Sequence, residues 1–125
     1  MSIIKVDSVQ DTNARELYLI RLWINFNQTT ASIRDSENVS SITDNGTGIN
    51  TVNFTYTRSN ANYCVNLSAS DISTGTNTTG YAYGSWLRGS GNVAYATGSL
   101  KFGLGYPGNT LNYDNQYVNF STIGI

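Results

Sequence analysis

The chain predicts an all-β fold, a single-domain antiparallel β-sandwich of jelly-roll-like type preceded by an N-terminal arm, and three observations carry that expectation. Apolar residues recur at every second position in run after run, the runs are separated by clusters of Gly, Asn and Ser, and no segment repeats apolar residues at helical spacing over two turns. At 125 residues there is room for one core and not for two. The expected division is an arm over residues 1–15 and a sandwich over residues 16–125.

In chain order, the arm holds one helix-like fragment, where Asn13-Ala14-Arg15-Glu16 could make a single turn. The first strand follows: Tyr18, Ile20, Leu22, Ile24 and Phe26 form an apolar face, while Leu19, Arg21, Trp23 and Asn25 form a mixed one. Val39 to Thr43 and Ile49 to Tyr56 read as two strands joined by Asp44-Asn45-Gly46-Thr47-Gly48. Asn-Gly is a hairpin signal because right-twisting strands need φ > 0 at the turn, which Asn and Gly adopt most readily. That loop could instead hold a cation or phosphate, but it offers one carboxylate, and a strand follows its glycines where a phosphate cradle needs a helix. The turn is therefore the expectation. Tyr63, Val65, Leu67 and Ala69 alternate with polar or small neighbours, and Tyr81 to Leu87, Asn92 to Phe102 and Gln116 to Ile125 continue the short period.

Composition narrows the function classes. Charged residues make up 12% of the chain, against about 25% in average domains, and Asn, Ser and Thr stand in their place. The surface is thus expected to be neutral and rich in hydrogen-bonding groups. Net charge is −1, and Lys and Arg are scattered singly, which argues against a nucleic-acid partner because such binding needs phosphate-neutralising clusters. No run is long and apolar enough to span a membrane, and Lys5 and Asp7 lie where a signal peptide would have its apolar segment. There is no histidine, so Ser-His-Asp catalysis and the usual zinc sites are excluded. Neither an enzyme nor a metal or cofactor site is expected. The single Cys64 reads as a small buried strand residue.

Several segments together carry a resemblance. These are Trp23-Ile24-Asn25-Phe26-Asn27; the run from Ile33 through Asn45-Gly46 to Gly48; Val52-Asn53-Phe54-Thr55; and Ala61-Asn62-Tyr63-Cys64-Val65. They resemble a module common in tailed bacteriophages, notably marine and cyanobacterial ones. The resemblance covers roughly residues 3 to 67 and is strongest from Trp23 to Thr55. It implies a virion structural protein, tail-fibre-like, with no catalytic motif. The chain departs from the module's pattern at Gln28-Thr29-Thr30, where the module has a Gly-Thr-Gly turn, and at Arg58-Ser59-Asn60, where it has a proline before Ala-Asn-Tyr.

Two candidate sites remain to be placed. Asp35 and Glu37 would share one face of a strand at about 6.6 Å, a separation that suits an inverting glycoside hydrolase, but Arg34 and the Ser-Asn surroundings read as a solvated bend. Tyr81, Tyr83 and Trp86, with Tyr106, Asn109 and Tyr113, combine aromatic faces with amides. Rings stack on the apolar face of a pyranose while amides bond its hydroxyls, so these six are the candidate glycan-binding residues. The alternative is that they rim a core or a subunit interface.

The expected function is a non-enzymatic bacteriophage virion structural protein, a capsid-decorating knob or short fibre on the particle surface. It would be made in the host cytoplasm without a signal peptide. Expected partners are other virion proteins, through the arm, and further copies of the chain in a closed homo-oligomer, a trimer by analogy with phage fibres. A host surface glycan is a secondary partner. The apolar end Ile123-Gly124-Ile125 is expected to pack inside a sheet or against a neighbour. The alternative function is a lectin-like receptor-binding module recognising host polysaccharide.

Overall fold

The computed structural model describes residues 2–5, 7–15, 20–70, 82–83, 94–104 and 114–124, with the backbone alone at 82–83. Nine strands form among them: β1 Ile20–Asn27, β2 Ser32–Glu37, β3 Val39–Asp44, β4 Ile49–Phe54, β5 Cys64–Ser70, β6 Ala82–Tyr83, β7 Ala94–Tyr95, β8 Ser99–Gly103 and β9 Tyr117–Ile123. They pair antiparallel into a five-stranded sheet, β2-β1-β9-β5-β6, and a four-stranded sheet, β3-β4-β8-β7. Strands β8 and β9 enter the middle of the two sheets, beside strands from much earlier in the chain. The all-β sandwich is as the alternation predicts.

The core is the alternate residues of each strand. Leu22, Ile24 and Phe26 of β1, Val118 and Phe120 of β9, Val52 and Phe54 of β4, and Leu100 and Phe102 of β8 are all buried. Phe102 stacks on Phe120 at 5.8 Å and meets the edge of Phe26 at 6.2 Å, so three rings clamp one sheet on the other. Burying each ring is worth about 1.5–3 kcal/mol.

β2 and β3 are one ribbon that changes sheets at Asn38. There φ is 59°, the Nδ2 group donates to the Arg21 carbonyl at 2.6 Å, and the Asn38 carbonyl accepts from the Thr55 amide at 2.9 Å. Asn tolerates the left-handed region better than other side chains, and its amide satisfies a backbone group at the corner. Three bulges bend the ribbons: the registers leave Arg21, Arg34 and Ser40 as the unopposed residues.

The Asn45-Gly46 turn forms. The Asp44 carboxylate accepts the Gly46 amide at 2.9 Å, the Asn45 amide donates to the Ile49 carbonyl, and the Asn45 side chain accepts the Thr51 hydroxyl at 2.7 Å. Asp44 is spent on the turn. The positive φ values fall on Gly46 and Gly48 rather than on Asn45, because the loop spans the four residues between β3 and β4 instead of two.

Other expectations change. Ser32–Glu37 is a strand where a solvated bend was expected; it is nearly all exposed and lies at a sheet edge, so no alternation marks it. The run from Asn92 to Phe102 holds the β7–β8 hairpin, closed by the Ala96 amide on the Ser99 carbonyl at 3.0 Å. Cys64 is exposed, not buried: Tyr63, Val65, Leu67 and Ala69 take the inner face of β5, so residue 64 must point outward. Of the helix-like fragment, residues 13–15 form a non-helical turn in which the Asp11 carboxylate accepts the amides of Asn13 and Arg15, with Ala14 at φ 60°, and Glu16 lies outside the described residues. Of the apolar end, Ile123 is half-buried in β9, which lies inside the sheet between β1 and β5, and Ile125 lies outside the described residues.

One polar cluster lies inside this core. Gln28, Asn50 and Asn115 are each at most 2% exposed. Gln28 Nε2 donates to Asn50 Oδ1 at 2.8 Å, Gln28 Oε1 accepts the Asn115 amide at 3.0 Å, and the Gln28 amide donates to the Asn115 carbonyl at 2.9 Å. The residue that departs from the resembled turn pattern thus joins the end of β1, strand β4 and the approach to β9.

Candidate functional site

Of the six candidate glycan-binding residues, Tyr81, Trp86, Tyr106, Asn109 and Tyr113 lie outside the described residues, and Tyr83 is described only as backbone in β6, paired with Ala69. The structure does not bring them together or separate them. Asp35 and Glu37 stand on the exposed face of edge strand β2. Among the described residues no cluster of His, Cys, Asp and Glu could hold a metal ion.

A different surface can be built from residues upward. Because β1, β9 and β5 bury their even, even and odd positions respectively, the opposite positions cover the outer face of the five-stranded sheet. The registers align them in rows. Glu37, Trp23, Ser121 and Asn66 lie side by side across β2, β1, β9 and β5, and Asp35, Asn25, Asn119 and Ser68 form the next row. Strands about 4.8 Å apart, with side chains about 6.6–6.8 Å apart along each strand, set these groups out as a regular polar grid.

Trp23 keeps 39% of its surface exposed and borders a shallow depression of about 320 Å³ with Asn66, Ser68, Asn119 and Ser121. An indole plane ringed by amides and hydroxyls can stack an apolar ring face and bond its rim. Bulged Arg34 lies over the same face, its guanidinium 4.1 Å from the Tyr117 ring centre and 3.3 Å from Asn25 Oδ1. The sequence already placed Trp23 on the mixed face of its strand. Ser121, Asn119, Asn66 and Ser68 could not be added without the register.

At the corner where the ribbon changes sheets lies a second cleft, of about 370 Å³, lined by Arg21, Asn38, Tyr56, Thr57, Arg58 and Ser59. Arg58 is fixed from several sides. Its amide donates to the Thr97 carbonyl, its guanidinium donates to the Gly124 carbonyl at 3.0 Å and to the buried Thr122 hydroxyl, and the group lies 5.0 Å from the Tyr63 ring centre and 5.5 Å from that of Phe54. Burial holds the Arg58 guanidinium below its ordinary range, and the like charge of Arg21 acts in the same direction against the Tyr63 phenol. Tyr63, whose hydroxyl donates to the carbonyls of Ala96 and Ser99, is pushed up, chiefly by burial.

No family model, no curated protein and no solved structure matches this chain.

Proposed function

We propose that the protein is a non-enzymatic structural module of a bacteriophage particle surface, a capsid-decorating knob or short fibre. The strings that carry the resemblance map in order onto β1, the β2–β3 ribbon, the Asn45-Gly46 turn, β4 and the start of β5, so the likeness follows a contiguous part of the architecture. The observation that carries the reading is the outer face of the five-stranded sheet. It is a broad array of Asn and Ser around one exposed Trp, made to meet a partner. Residues 2–5 support an arm that docks on other virion proteins, since Ile3 and Ile4 are 72% and 88% exposed. Assembly as a homotrimer belongs to the same proposal.

The second reading, a lectin-like module that binds host surface polysaccharide, is favoured by Trp23 among Asn66, Asn119 and Ser121. Imaging the intact particle with this chain located in the density tests the first reading, and its absence from the particle overturns it. A glycan array tests the second. Saturable binding lost in Trp23→Ala assigns the sheet face, binding lost only in Tyr83→Ala or Trp86→Ala assigns the other aromatic segment, and silence across host envelope glycans removes the lectin.

A further inference from the structure

The cleft at the ribbon corner brings two cations together. Arg21 and Arg58 both line it, and none of its lining residues is acidic. The ion pair between Arg15 and Asp11 includes none of the residues that line the cleft. Arg58 spends donors on Thr122 and Gly124, both uncharged, and a guanidinium has further N–H donors beyond those two bonds. Arg21 is the unopposed residue of the β1 bulge, an irregularity of the kind that re-aims a side chain. A partly buried cation held rigidly beside a second cation, with no acidic side chain among the described residues that line the cleft, is unfavourable by itself and favourable toward an anion.

We propose that this cleft is a binding site for the oxyanion of an acidic sugar residue. Arg58 forms the floor of the site and Arg21 the wall. The oxyanion sits between the two guanidiniums, where charge-assisted bonds are strongest. Tyr56, 71% exposed at the rim, offers its ring to the apolar face of the sugar, and Thr57, Ser59 and Asn38 supply the hydroxyl and amide edge. The site is separate from the Trp23 face, so either can fail without the other. Arg58 also lies where this chain departs from the module it resembles.

The test is a titration of the isotope-labelled full chain, followed by amide NMR shifts, with sodium glucuronate, sodium sulfate and glucose at constant ionic strength. Glucuronate is expected to give saturable shifts confined to residues 21, 38, 56–59 and 122–124, while glucose gives none. Arg21→Gln, on an exposed side chain, should fold with an unchanged melting midpoint and bind glucuronate about tenfold or more weakly, the loss of one charge-assisted bond. Arg58→Lys is the companion variant, checked first for folding because Arg58 braces β9. Sulfate binding weaker than glucuronate assigns the sugar-borne group. Sulfate binding the cleft equally well overturns the sugar and leaves a free-oxyanion site. Shifts scattered over the surface, or an Arg21→Gln variant that binds like the parent, overturn the site altogether.

Discussion

Replacing Gln28 by Leu removes the centre of the buried polar cluster with little change in volume. Three bonds to the Gln28 side chain are lost at once, those made by the Asn50 oxygen, the Asn115 amide and Asn115 Nδ2, all inside the core. Each buried polar group left unpaired costs about 1–3 kcal/mol, so the expected loss is about 4 kcal/mol. Asn50 is already strained in this sense, since its Nδ2 has no hydrogen-bond partner among the described residues. Domains of this size are stable by only about 5–15 kcal/mol, so the variant should remain folded but with much of its margin gone. With a urea slope of about 2 kcal/mol per molar, the unfolding midpoint should fall by about 2 M at unchanged slope. The double variant Gln28→Leu with Asn50→Leu removes both ends of one bond and should recover part of the loss. A Gln28→Leu variant destabilised by less than about 1 kcal/mol would refute the claim that these bonds hold β1, β4 and the approach to β9 together.

The other predictions concern single positions. Gly46→Ala, at φ 118° with open space around its Cβ, should cost about 1 kcal/mol from backbone conformation alone. Gly124→Ala adds a Cβ 3.3 Å from the Tyr63 backbone to a φ of 129°, so urea unfolding should show the larger loss, about 2 kcal/mol. Cys64, exposed on β5, should react fully with a thiol reagent without denaturant; a requirement for unfolding would contradict its outward face. Tyr63 favours its neutral form in the folded state, so its contribution is fully present below the ordinary phenol pKa of 10.0 and is lost as pH rises through the higher folded value. Stability measured across that alkaline window should fall more steeply in the parent than in Tyr63→Phe.

Much of this fold was legible because burial imposes a period of two on residues such as Leu22, Ile24 and Phe26, and because Asn45-Gly46 has few other uses. β2 was not legible: as an exposed edge strand it buries almost nothing, so Ser32 to Glu37 carry no alternation. Cys64 was assigned by the habits of its residue type when its neighbours already placed it outward. For the sites, Trp23 could be put on a face but not given its neighbours, which come from strands distant in sequence. The Arg21–Arg58 cleft gave no sequence signal, since two arginines far apart meet only when a bulge, a corner and the end of β9 converge.

The position of β9 has a consequence for timing. During synthesis β1 with β2, and β5 with β6, emerge as two half-sheets whose facing edges stay open until residues 117–123 arrive to fill the gap. Trp23 acquires Ser121 and Asn66 as neighbours in that same step, and Arg58 acquires Thr122. Any ligand that needs either surface therefore recognises the sandwich only once β9 is in place.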